Sequence, residues 1–176
     1  MSVERPSDGG ASGVSKSISV EASRRIPAPA AEIYAVLADY HVGHPRILAS
    51  AFSNLTVEQG GIGDGTVITF DMRLFGRTTR VRGVVTEPEP GRVLVESYPE
   101  SGVVTTFRVK PVAAGESIVT ISSEIPARHP LTQLIERWMA IRALAPVYQE
   151  ELKRIESYMS SESDVRGQQR GRLGLP

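Results

Sequence analysis

The 176 residues carry 20 basic and 20 acidic side chains, a formal net charge of zero, so no net field draws the chain to nucleic acid or to an anionic membrane. Cysteine is absent, which excludes disulfides, thiolate metal sites and thiol nucleophiles together. The opening MSVERPSDGGASGVSKS has no apolar signal core, and no run approaches the ~18 apolar residues of a membrane span.

A cytoplasmic protein without membrane insertion is therefore expected. Residues 1–15 and 160–176 are polar and aperiodic, so each is expected to be a disordered tail on a single domain over 16–159. Arg166, Arg170 and Arg172 are offset by Glu162 and Asp164, too little charge to argue for nucleic acid.

In chain order, SISVEASRRI (17–26) alternates Ile18, Val20 and Ala22 with polar residues and reads as a half-buried strand. Pro29 opens a helix in which Ile33, Val36, Leu37 and Tyr40 recur at helical spacing. Leu55–Glu58 is a short strand. GGIGDGT (60–66) has the glycines of a phosphate loop, but the alternating TVITFDMRLF that follows is a strand, not the helix such a loop must open. The glycines are expected to serve a turn.

A two-residue turn at Gly76-Arg77 sets Leu74 opposite Thr79, Met72 opposite Val81, Phe70 opposite Gly83 and Ile68 opposite Val85. Asp71, Arg73, Arg80 and Arg82 then share the solvent face. EPEPG (87–91) is a turn. For RVLVESY, a five-residue loop turns Val93, Val95 and Ser97 inward and a four-residue loop turns Leu94, Glu96 and Tyr98 inward. The first is preferred because it keeps Glu96 out of the core. VTTFRVKP places Phe107 and Val109 inward. ESIVTISSEI (116–125) is a last strand of open parity, with Thr120, Ser122 and Glu124 inward if the even residues face the core.

From Leu131 to Met159 apolar residues return every three or four positions, a helix of about 29 residues and over 40 Å. Pro146 removes one of its backbone bonds, and a kink is expected there.

Strand, helix, short helical connection, antiparallel strands and one long terminal helix resemble the START-like (SRPBCC) superfamily, closest to its polyketide cyclase/dehydrase and lipid transport group. The likeness rests on IPAPAAEIYAVLADY, GGIGDGTVITFDM, VTEPEPGRVLVES and TTFRVKPVAAGES, within residues 17–159. It implies an α+β helix-grip fold. A curved antiparallel sheet of about six or seven strands would wrap the C-terminal helix, with a short helical pair after the first strand and a cavity between sheet and helix. Ile68, Phe70, Met72, Val81, Val85, Phe107 and Val109 would line it from the sheet. Trp138 and Ile141, with some of Leu134, Ile135 and Ala145, would line it from the helix, and Arg142 flanks that stripe within reach.

HVGHP (41–45) holds two of the three histidines. A metal site would join His41 and His44 to Asp39 or His129. Gly43 and Pro45 break the helix, however, and Pro45 biases His44 toward an extended backbone, so the rings need not converge. The resemblance instead makes this stretch a connection over one end of the cavity, with Tyr40 and His44 as polar anchors at its rim. No cofactor or metal is expected, and no GxSxG, HExxH or P-loop occurs. The leading expectation is a carrier or sensor of a hydrophobic small molecule such as a lipid or polyketide. A cyclase/dehydratase acting through Glu124 or Arg142 is the alternative, and a protein-partner module is third.

Overall fold

The computed structural model describes residues 17–127 and 133–172, with side chains through residue 164. The expected tail 1–15 and His129 lie outside the described residues. The elements run β1 (Ser17–Ile26), α1 (Ala30–Ala38), α2 (Gly43–Ile47), β2 (Phe52–Gln59), β3 (Val67–Leu74), β4 (Arg77–Glu89), β5 (Val93–Tyr98), β6 (Val103–Ala113), β7 (Glu116–Pro126) and α3 (Gln133–Arg172). This is the helix-grip α+β arrangement, with seven antiparallel strands in the order β1-β7-β6-β5-β4-β3-β2. The alternation read in β1 holds: Ile18, Val20 and Ala22 are buried. Its neighbour is β7, from Ser17 opposite Pro126 to Ile26 opposite Ser117.

The β3–β4 hairpin differs from expectation in its turn. Phe75 and Gly76 are the two loop residues, with φ of 50° and 76°, a pattern of two positive φ values that suits the right-handed twist of the flanking strands. Leu74 therefore pairs with Arg77, Phe70 with Val81 and Ile68 with Gly83. Each partner has moved by two positions, so every side chain keeps its face. Asp71 and Arg80 pair at 3.2 Å and Arg82 meets Glu58 at 2.8 Å, all on the solvated side.

The preferred parity of β5 is reversed. β4 extends to Glu89, the turn shrinks to three residues, and a bulge between Thr86 and Glu89 adds one residue to β4. The net phase is that of a four-residue loop. Glu96 sits opposite Val85 and Leu94 opposite Phe107, both on the core side. In β7 the odd residues face inward: Ser117, Val119, Ile121 and Ser123 are buried. Glu124 is turned outward, where it accepts a hydrogen bond from Ser17 at 2.5 Å.

α3 is longer and less embedded than the sequence predicts. It continues to Arg172, through most of the segment expected to be a disordered tail, and includes Pro146. Its buried residues begin at Val147 and Tyr148 and continue with Glu151, Leu152, Ile155 and Met159. Trp138 is 63% and Ile141 40% exposed, and Leu134 and Ile135 are exposed as well. The apolar period runs from Leu134 to Met159, but among the described residues the buried ones lie only between Val147 and Met159.

Replacing the fully buried Leu152 by Ala is expected to cost about 2–5 kcal/mol. Leu134→Ala, on the exposed half, should stay within about 0.5 kcal/mol. Urea unfolding of the two variants checks the difference.

Candidate functional site

Between the sheet and α3 lies a cavity of about 460 Å³, within the range of sites that enclose small organic ligands. Ile68, Phe70 and Met72 of β3, Val81 of β4 and Phe107 of β6 form its apolar wall. Phe70 packs edge-on to Phe52 at 5.4 Å and to Tyr98 at 5.9 Å. His44, Glu96, Tyr98, Thr105, Ser123, Tyr148 and Glu151 supply polar groups at one end, and Thr79, Arg80, Arg82, Glu100 and Ser101 complete the polar lining. Of the other residues singled out in the sequence, Val85 is fully buried beside Glu96 in the core. Trp138, Ile141 and Arg142 are not brought to this cavity. They line a separate, open groove with Ala145, Pro146 and Gln149.

Glu96 is 4% exposed, and a buried carboxylate is tolerated only with partners. The Tyr40 hydroxyl donates to one oxygen at 2.5 Å, and the Tyr98 hydroxyl donates to the other. Burial, reinforced by the neighbouring Glu96 charge, raises both phenols well above their ordinary pKa, so both keep their protons. His44 Nε2 lies 3.7 Å from Glu96. Its Nδ1 bonds the carbonyl of Leu37 at 2.7 Å, and since a carbonyl only accepts, Nδ1 carries hydrogen. The imidazole is stacked on Tyr40 at 4.3 Å and edge-on to Phe107 at 5.7 Å.

HVGHP is thus placed deeper than a rim. His44 is 2% exposed and forms part of the inner wall, and Tyr40 stands behind it on Glu96. The extended backbone expected before Pro45 is absent, because α2 starts at Gly43 and the proline falls within its first turn, where its missing N–H costs nothing. Gly43 is required there: a Cβ would lie 2.6 Å from the Val36 carbonyl oxygen. His41 is exposed, and the Asp39 carboxylate accepts the backbone N–H groups of His41 and Val42. Asp39 thus caps the turn.

Gly83 has the second necessary absence of a side chain. A Cβ there would come 2.9 Å from the Tyr98 ring. The room left beside Gly83 is therefore taken by Tyr98, whose hydroxyl reaches Glu96.

On the helix side, Tyr148 and Glu151 lie one turn apart on the buried face of α3. Thr105, Ser123 and Tyr148 form a hydroxyl chain with links of 2.6 and 2.5 Å. Burial pushes the Tyr148 phenol up to about 12. Glu151 is raised to about 8, first by burial and then by the Glu96 charge, against the lowering effect of the Ala49 N–H. It is a carboxylic acid at neutral pH, beside a carboxylate held by two phenols. The sequence contained a signal for it: Glu151 falls in the stripe Tyr148, Leu152, Ile155 and Met159, where a solvated glutamate has no place.

An unfolded glutamate ionises near its ordinary 4.5, whereas folded Glu151 keeps its proton to about 8. Between those values the native state binds the extra proton, so this group's effect on stability becomes less favourable as pH rises. Glu151→Gln is expected to stabilise the protein at pH 8 relative to pH 5 by on the order of a few kcal/mol. Urea unfolding of both proteins at the two pH values measures this.

The family model for polyketide cyclase / dehydrase and lipid transport matches residues 17–160. Among solved structures, the chain is similar to KanY protein (ms6282), at 25% identity and a TM-score of 0.72, covering 82% of this chain and 99% of that one. The Zhui aromatase/cyclase from Streptomyces sp. R1128 is similar at 17% identity and a TM-score of 0.65, covering 82% and 94%. A START superfamily protein from Mycobacterium smegmatis shares 10% identity at a TM-score of 0.65, covering 81% and 97%. Comparison with curated proteins finds no match. With a family model spanning nearly all of the described domain and the same fold in these structures, the chain belongs to the polyketide cyclase / dehydrase and lipid transport family.

Proposed function

We propose that the protein binds a hydrophobic small molecule in this cavity as a carrier or sensor. The apolar body of the ligand would lie against Ile68, Phe70, Met72, Val81 and Phe107, with an oxygen atom at the Glu96–Glu151 end. The carrying observation is a cavity of about 460 Å³ with an apolar wall and converging buried polar groups, the usual design of a site that anchors an apolar molecule by one functional group.

A second reading, a cyclase/dehydratase, is favoured by one observation: a protonated Glu151 beside Glu96 in the same cavity. Carboxyl groups in two protonation states suit acid–base work. In a dehydration, Glu151 would protonate a leaving hydroxyl, which departs as water, while Glu96 takes the proton from the carbon α to a ketone. The likeness to Zhui aromatase/cyclase supports this reading, though Glu124 and Arg142, the groups first considered for it, do not line the cavity.

Native mass spectrometry of gently purified protein is expected to show a bound lipid-like or polyketide-like molecule. Val81→Trp, which fills the cavity, should remove it while the circular dichroism stays native. A ligand retained in full by Val81→Trp would place it elsewhere. Conversion of the bound molecule by wild type, lost in Glu151→Gln, would select the enzyme.

A further inference from the structure

We propose that the polar end of the cavity takes an uncharged oxygen head group, a hydroxyl or a carbonyl, and rejects a carboxylate. The inference rests on the ligand-binding reading above. The groups meeting there come from five elements: His44 from α2, Glu96 from β5, Thr105 from β6, Ser123 from β7 and Glu151 from α3. Two of these are carboxyl groups, and neither lysine nor arginine is among them.

Among the described residues that line the cavity, the arginines are Arg80 and Arg82. Both are committed to the other face of the sheet. Arg80 bonds Asp71, Thr69 and the Asn54 carbonyl, and Arg82 bonds Glu58. His44 is the remaining basic side chain, with Nδ1 on Leu37 and Nε2 toward Glu96. An incoming carboxylate would bring a third carboxyl into a buried space with no uncommitted cation, and like charges there repel with little screening. An uncharged head group meets no such obstacle. The Glu151 acid proton can be donated to its oxygen, while Ser123 and Thr105 offer hydroxyls to a ligand O–H.

The test is a fluorescence titration at pH 7 with 9-anthracenemethanol and 9-anthracenecarboxylate, which share one ring system. The alcohol is expected to bind about tenfold tighter or more. Because the alcohol is also less hydrated, two variants separate charge from desolvation. Glu96→Gln should narrow the ratio by raising carboxylate affinity. Leu144→Lys, which adds a cation on the partly exposed cavity wall of α3, should bring the carboxylate level with the alcohol. A wild-type protein that binds both equally overturns the inference, as does a ratio that neither folded variant changes. Binding of neither probe removes the cavity as a ligand site and this inference with it.

Discussion

A carboxylate placed at the polar end of an apolar cavity is the constraint on which the surrounding structure depends. Glu96 cannot be buried alone, because an isolated buried charge costs several kcal/mol. Two of its partners come from a distant part of the chain and one from its own strand. Tyr40 follows α1, Tyr98 ends β5, and His44 is set in α2. Each carries its own demand. Tyr98 needs the bare backbone of Gly83, and His44 needs the α1–α2 corner that only glycine at position 43 allows. The short helical pair therefore closes one end of the sheet and also delivers two rings to a charge.

The second carboxyl changes what this end can do. Had Glu151 been ionised, two adjacent buried anions would face each other without an arginine or lysine. Burial and the Glu96 charge keep its proton on instead. The result is one anion, one acid and a run of hydroxyls in a space otherwise lined by aromatic and aliphatic groups. A carrier would use such an end to orient its cargo, and a dehydratase would use it to move protons. The same geometry serves both, so the family likeness alone does not divide them.

Much of the fold was legible in the sequence. The period-two segments, the glycine turn before β3 and the long terminal helix give the order of elements, the family resemblance carried by that order implies the helix-grip arrangement, and strand parity puts Ile68, Phe70, Met72, Val81 and Phe107 on the cavity face. That face assignment survived a wrong hairpin turn because the error was two residues, an even number. The site was less legible, for two physical reasons. Strand parity after Glu89 depends on a bulge that has no clear sequence signature, and one residue of phase decides whether Glu96 is inside. The rule that charges stay outside then favours the wrong side: Tyr98 turns inward only when Glu96 does, and the other phenol, Tyr40, is 56 residues away. Along α3, periodicity identified the apolar stripe but not where packing begins. Periodicity alone therefore puts Trp138 and Ile141 at the cavity, whereas Tyr148 and Glu151 carry the polar contacts there.

Two apolar regions compete as the place where a hydrophobic molecule would settle, the cavity and the exposed stretch of α3 from Leu134 to Ile141. They can be separated by methyl NMR of protein labelled at isoleucine, leucine and methionine, titrated with 9-anthracenemethanol. A ligand in the cavity is expected to shift Ile68, Met72 and Leu144 by ring currents and to leave Leu134 and Ile135 unchanged. Shifts confined to Leu134, Ile135 and Ile141 would contradict a ligand site built on Glu96 and Glu151.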